Sequence, residues 1–344
     1  MPQHINQKLI AERAGISRAT VSRAFTKSTA VSAEAMELII STMKDLGISD
    51  PEKLIGKRDV PRQILVIVGD IRDEFYASTI KGISDTIHSL NMIATLCDSN
   101  FDFDIEYRYL KYAEEHGFAG VIMLTVESSP GMIALLRNYM LPVVLVNRFI
   151  RSLDMDVVSI DNYRGGYMAA SYLLEHGHRC VAYLAGKRES TAQQDRLRGF
   201  TDAMADAGIS FRQQNVFWGD NTRDSGRDFA GSFFGDHAKG KYTAVFAANN
   251  PMAVGALTRL LELGRSVPND ISMICFDDVT PARDGSIKLT TISYDPYLMG
   301  TTAVDSLMKR IEKPHQEKIK STFSPHVTVR DSVKDISASI DKHL

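Results

Sequence analysis

Seven short apolar runs recur along the chain, and each closes on a glycine or a polar residue. ILVIVGD (Ile64–Asp70) comes first, then GVIMLT, PVVLVNR, VVSIDN, CVAYLAG, AVFAANN and ISMICFDD. An unbroken apolar run of this length reads as a strand buried on both faces, the pattern of parallel sheets covered by helices. Amphipathic stretches separate the runs, among them Ala77–Leu90, Ile105–His116, Arg164–His176 and Arg196–Ala207. Strand and helix in alternation imply parallel sheets with right-handed crossovers. The units are too many for one sheet, so two lobes are expected, dividing near Ile160.

Ligands of such sheets sit at the carboxyl ends of the strands. The polar strand ends are therefore the candidate binding residues. Phe75 and Tyr76 follow the first strand, Asn147 and Arg148 follow PVVLV, and Asp161 stands at the first crossover. Lys187 and Arg188 follow VAYLAG, Arg196 opens the next helix, Asn249 ends AVFAAN and Asp277 ends MICF. Aspartate, asparagine and arginine bond hydroxyls in pairs, and an aromatic ring covers a C–H face, so the set suits a sugar.

The first 47 residues follow a different rule. Asn6, Ser17 and Ser32 are placed to cap three short helices, with Glu34 in the third helix's first turn and Gly47 as its terminator. LIAERAGISRATVSRAF (Leu9–Phe25) has the spacing of a helix-turn-helix. Ala11 allows a close crossing, Gly15 supplies a turn with positive φ, and Ile10, Ile16 and Val21 face inward. The second helix then turns Ser17, Arg18, Ala19, Ser22 and Arg23 outward. Arginine there reaches guanine edges in a major groove, and serine or threonine bonds phosphate. Charge agrees with this division. Net charge is −2 over 344 residues, yet residues 1–30 hold Lys8, Arg13, Arg18, Arg23 and Lys27 against Glu12. A basic head on an acidic body is a head that meets an anion.

Other classes find no support. There is no GxSxG, Walker loop, HExxH or strand-borne GxGxxG, so no catalytic residue, cofactor or metal is expected. The HGH of residues 176–178 reads as a structural turn. Three scattered cysteines without a CxxC pair, no signal-like N-terminus and no apolar run of about 18 residues point to a cytoplasmic protein away from membranes.

IAERAGISRATVSRAF followed by AVSAEAMELIISTMKDLG resembles the headpiece of the lactose-repressor (LacI/GalR) family. Ile10-Ala11, Ala14-Gly15, Ile16-Ser17 and Thr20-Val21-Ser22-Arg23 carry the likeness. It continues through MDVVSIDNYRGG, LLEHGHRCVAYLAG, DRLRGF, AVFAANNPMAVGAL, VPNDISMICFDD and LTTISYDP. The resemblance implies an α/β protein: a small all-α helix-turn-helix headpiece plus a two-lobed, periplasmic-binding-protein-like body with parallel sheets. It implies DNA contacts from Ser17, Arg18, Ala19, Thr20, Ser22 and Arg23, with Arg18 and Ala19 reading bases. Effector contacts map onto Phe75, Arg148, Arg196, Asn249 and Asp277, with Asn147, Asp161 and Asn221 beside them. Asn221 stands where relatives often carry an aromatic, and Asn249-Asn250 where they usually carry Asn-Asp. With Arg148, Lys187, Arg188 and Arg196 nearby, these changes favour an anionic effector such as a sugar acid or sugar phosphate.

The linker departs from the family pattern. SDPEKLIGKR has no Ala-Arg pair, and Lys57 falls where the family's groove-wedging leucine stands. Either Leu54 and Ile55 form the wedge in a shifted register or the segment is a flexible tether. The expected domains are a headpiece at 1–47, a linker at 48–62, a body at 63–330 and a tail at 331–344. Within the body, lobe N takes 63–161 and about 292–324, and lobe C takes 162–291 and about 325–330. The expected function is a repressor of near-palindromic operators, a homodimer or higher oligomer, governed by a small metabolite. A transporter's solute-binding protein is the alternative.

Overall fold

The computed structural model describes residues 7–26, 31–48, 50, 51, 55, 63–72, 74–235 and 240–340. The chain divides into two compact units, Met1–Arg62 and Gln63–Leu344.

The first unit holds three helices, α1 (Gln7–Ala14), α2 (Arg18–Thr26) and α3 (Ala33–Asp45). Ile10, Val21, Ala24, Ile39 and Met43 are wholly buried and form its core with Ala11 and Phe25. Gly15 takes φ +64° between α1 and α2, and the Ile16 N–H closes the turn on Ala11 O at 3.1 Å. Ser17 Oγ accepts the Thr20 N–H at 3.0 Å and Ser32 Oγ accepts the Ala35 N–H at 3.3 Å, so both serines cap. Asn6 lies outside the described residues. At the end of α3, Gly47 (φ +81°) donates to Lys44 O and Ile48 donates to Met43 O. That pair of bonds is a Schellman closure, and Ile48 packs back on the core that contains Met43.

The second unit begins with β1 (Gln63–Val68), α4 (Glu74–Ser89), β2 (Ile93–Asp98), α5 (Phe103–Glu115), β3 (Gly120–Met123), α6 (Pro130–Arg137), β4 (Val143–Val146) and β5 (Asp156–Ile160). It continues through α7 (Asn162–Glu175), β6 (Val181–Ala185), α8 (Thr191–Asp206), β7 (Val216–Trp218), α9 (Arg223–Phe234), β8 (Ala244–Ala247), α10 (Asn250–Glu262), β9 (Ser272–Phe276), α11 (Thr280–Asp284) and β10 (Thr290–Ser293). It ends with α12 (Pro296–Glu312), β11 (Lys320–Phe323), β12 (His326–Thr328) and α13 (Ser337–Ile340). Two six-stranded sheets result, in the orders β11-β5-β4-β3-β1-β2 (lobe N) and β12-β10-β9-β8-β6-β7 (lobe C). Every pairing is parallel except β10 with β12. Each sheet carries an apolar cluster on both faces, so each lobe is a three-layer sandwich.

The chain passes between lobes at Asp161, at Tyr294–Asp295 and at Ser324–Pro325. The second passage follows Ser293, later than the expected 291, because β10 runs to Ser293 and pairs with β9 within the lobe C sheet. The tail also begins later than residue 331. Ser332 Oγ donates to Met273 O and accepts the Thr290 N–H, Lys334 N–H reaches Ser272 Oγ, and Ile336 N–H reaches His176 O. His178 fixes this strap from within lobe C: Nε2 donates to Lys334 O at 3.0 Å while Nδ1 lies 2.9 Å from Thr243 Oγ1.

Three helix pairs dock through reciprocal glycines. A Cβ on Gly166 would sit 1.9 Å from Arg196 O, and one on Gly199 would sit 1.9 Å from Tyr163 O, so α7 and α8 touch backbone to backbone. Gly226 and Gly255 do the same for α9 and α10, and Gly82 and Gly300 for α4 and α12. Gly199→Ala is expected to destabilise the body by about 1–3 kcal/mol, because a backbone must move. Gly231→Ala, on α9 with open space around it, is expected to stabilise by about 0.5–1 kcal/mol. Urea unfolding midpoints of the two variants check the contrast.

Candidate effector site and nucleic-acid interface

In the three-helix unit, α2 buries Val21, Ala24 and Phe25 and presents Arg18, Ala19 and Arg23 to solvent, with Ser17 exposed just ahead of it. Thr20 and Ser22 are half-buried at the rim of that face. Ser17 Oγ also lies 2.8 Å from Thr20 Oγ1, and Arg23 Nε donates to Ala19 O at 3.2 Å, so both stay along the helix surface. The result is a short polar helix face with two cations and one methyl group. Ile55 is half-buried against the three-helix core, and its N–H reaches Pro51 O at 3.1 Å. Leu54 lies outside the described residues.

In the body, the strand ends of the two lobes meet around an inner cavity of about 40 Å³. Asn147, Arg148, Arg196, Asn221, Asn249 and Asp277 line it together, six of the eight expected residues. Asn147 (φ +67°), Asn221 (φ +74°) and Asp277 (φ +74°) each take the left-handed conformation just past a strand. Asparagine and aspartate enter that region more readily than other side chains. Asp161 does not line the cavity. Its carboxylate accepts the Arg164 N–H at 2.9 Å and caps α7. Phe75 belongs to α4, and its side chain lies outside the described residues; its neighbour Tyr76 is buried and lines the cavity.

Arg196 anchors the site at 3% exposure. Nε donates to Asn162 Oδ1 at 2.7 Å, Nη1 donates to Ala248 O at 2.5 Å, and the guanidinium carbon lies 3.4 Å from the centre of the Phe276 ring. Gln193, one turn earlier on α8, ties the same strand ends. Its Oε1 accepts the Gly186 N–H and its Nε2 donates to Ala248 O. Burial pulls the Arg196 guanidinium below its ordinary pKa and raises Asp277, with their mutual attraction opposing both effects. Asp277 Oδ1 accepts the Tyr294 hydroxyl at 3.0 Å. Asn249 caps α10 through Oδ1, and its Nδ2 reaches Asn221 Oδ1 at 3.2 Å. Asn147 Oδ1 is buried with no hydrogen-bond partner among the described residues.

Sequence reasoning missed Phe101, Ser190, Ala192 and Gln193. All line the cavity, but they come from a turn and from α8 with its approach. The lobes also clasp one another directly. Arg151 pairs with Asp195 at 2.6 Å, Lys187 approaches Glu127 at 3.9 Å, and Thr191 Oγ1 donates to Phe149 O at 3.3 Å. Arg188 lies over the Trp218 ring at 4.7 Å.

Behind this wall Glu106 is 3% exposed. Ser99 Oγ lies 3.0 Å from Val68 O and 3.2 Å from Glu106 Oε1, and it has one proton to give. A protonated Glu106 resolves this by donating to Ser99 while Ser99 donates to Val68. Burial pushes the carboxyl up to about 7; the Ser99 bond and Arg148 oppose this, and Glu127 adds to it.

The body matches the family model described as a periplasmic-binding-protein-like domain over residues 170–333. The chain is 30% identical over 332 residues to the HTH-type transcriptional repressor PurR of Pectobacterium carotovorum, covering 95% of this chain and 96% of that protein. It is 28% identical over 334 residues to the HTH-type transcriptional regulator DegA of Bacillus subtilis, covering 95% and 98%. Among solved structures, the transcriptional regulator CelR–cellobiose complex matches at TM-score 0.73 and 27% identity, over 96% of this chain and all of that one. A LacI family regulator from Enterococcus faecium with bound ribose matches at TM-score 0.71 and 26% identity, over 80% and 99%. The chain belongs to the lactose-repressor (LacI/GalR) family of DNA-binding transcriptional regulators. Among the described residues, no helix is long and apolar enough to cross a membrane.

The Glu106 proton has a measurable consequence. A carboxyl whose pKa rises on folding contributes stability that is complete below about pH 4.5 and is lost as pH climbs through about 7. Glu106→Gln, which keeps the donor to Ser99, is therefore expected to match the parent at pH 4.5 and to exceed it by about 3 kcal/mol at pH 8. Denaturant unfolding at the two pH values measures the difference.

Proposed function

We propose that this chain is a cytoplasmic repressor that binds near-palindromic operator DNA as a homodimer and is released or recruited by a sugar-derived, anionic metabolite held between its lobes. The observation that carries the effector reading is the charge of the inner cavity. Two arginines, Arg148 and Arg196, line it with one carboxylate, Asp277, and that carboxylate already holds the Tyr294 hydroxyl. Asn249, Asn221 and the unpartnered Asn147 Oδ1 add neutral groups suited to hydroxyls. Lys187 stands at the same edge. Solved structures of similar regulators with cellobiose and with ribose support a carbohydrate as the scaffold of the ligand.

The DNA reading rests on the exposed face of α2. Arg18 is expected to pair with a guanine edge and Ala19 to meet a thymine methyl in each half-site. A two-fold dimer presents two such helices about one helical turn apart, which is why the operator is expected to be near-palindromic. Binding of effector and operator is coupled reciprocally, whichever the sign.

Arg18→Ala is expected to lose about 1–3 kcal/mol on the preferred palindrome and to relax preference at one base pair. Competition binding on single-base variants of that duplex reads this, and an unchanged preference overturns the assignment. For the effector, thermal unfolding with glucuronate, glucose 6-phosphate and ribose 5-phosphate beside glucose, ribose and cellobiose decides the charge. An anionic sugar present at about 100 times its Kd adds about 2.7 kcal/mol. Stabilisation by the neutral sugars alone rejects an anionic effector.

A further inference from the structure

Phe101 stands in the turn between β2 and α5, at the cleft edge of lobe N. Along with Asn221, it lines both the inner cavity of about 40 Å³ and a neighbouring cavity of about 510 Å³ whose wall includes Asp70, Arg72, Asp220 and Arg223. Its backbone is left-handed (φ +57°), directly after Asn100 (φ +51°). Asparagine enters that region readily and phenylalanine does not, so the surroundings of the ring must hold it there.

Those surroundings are specific. The ring lies against the end of β1, where a Cβ on Gly69 would sit 2.1 Å from its Cε1. Two cations cover it, one from each lobe: the Arg148 guanidinium at 5.3 Å and the Lys187 ammonium at 4.7 Å from the ring centre. Both fall within the range of cation–π attraction. An inner cavity of 40 Å³ is far below the several hundred Å³ of a metabolite site, so a ligand enters only as these groups part.

We infer that Phe101 is the specificity-determining ring of this cleft: it packs on the C–H face of a cyclic sugar, and the Arg148 and Lys187 charges it releases then meet the ligand's anionic substituent. The inference rests on the effector reading above and adds its selectivity. A ligand needs both an apolar ring face and a negative group. An anion without a ring gains nothing from Phe101, and a ring without an anion leaves the displaced Arg148 unmatched and Lys187 with only Glu127, at 3.9 Å.

Calorimetric titration of the full chain with the tightest binder among glucuronate, glucose 6-phosphate and ribose 5-phosphate tests this. Thermal shift in inorganic phosphate provides the arm without a ring. Phe101→Ala is expected to weaken the sugar about ten- to a hundredfold. Phe101→Tyr is expected to stay within about threefold and Phe101→Leu to fall between, while the phosphate shift is unchanged in all three. Phe101→Leu preserves bulk and serves if the alanine variant fails to fold. Phe101→Ala binding the sugar as well as the parent overturns the inference and leaves the cleft reading intact. Equal losses for sugar and phosphate also overturn it, since the ring then only props the wall. A parent protein that none of the three sugars binds overturns both.

Discussion

A guanidinium buried in a protein must find all its partners inside, because leaving it unpaired costs several kcal/mol. Arg196 meets that demand with Asn162 at the start of α7, with Ala248 at the end of β8, and with the face of Phe276 at the end of β9. It therefore locks three elements of lobe C to α8. The lock works only because α7 and α8 approach backbone to backbone at Gly166 and Gly199. A wider gap would carry Arg196 away from Asn162, and the cavity wall would lose the charge around which its other groups are arranged.

The two units divide the work by charge and by packing. The headpiece is stabilised by a small apolar core, two serine caps and a Schellman closure, and it keeps its cations on the surface. The body places its cations at strand ends, where burial and the facing lobe give them partners. Surface cations are strongly hydrated and screened by salt, which suits reversible contact with phosphates. Buried ones suit short-range contact with a small ligand, where water is excluded and each charge counts for more.

How much of this was legible depended on burial. The strands β1, β3, β4, β5, β6, β8 and β9 could be read because both faces are covered, leaving unbroken apolar runs. Edge strands escaped. β2 is an edge strand that packs only in part on either face, through Ala94 on one and Cys97 on the other, so Ile93 and Leu96 stay exposed and the text IATLCD looks ordinary. The short strands β7, β11 and β12 are also sheet edges: β7 is only the three residues VFW, and β11 and β12 carry mixed polar residues. The same logic governed the site. Arg196, Asn249 and Asp277 follow or face buried strands and were marked by that position. Phe101 and Gln193 reach the cavity from a turn and a helix, where no periodicity signals them. Asp161 shared the strand-end mark yet serves as a cap, because the chain turns there into another lobe.

The passages between lobes also stand in a fixed row. The Asp161 N–H donates to Phe323 O at 2.9 Å, and Ser293 pairs with His326. The first passage is thereby fastened to the third, and the third to the second. Three attachments in line behave like the pins of a door: they resist twisting and sliding and leave one swing about the line they share. Whatever wedges between the strand ends is converted into a single angle between the two lobes.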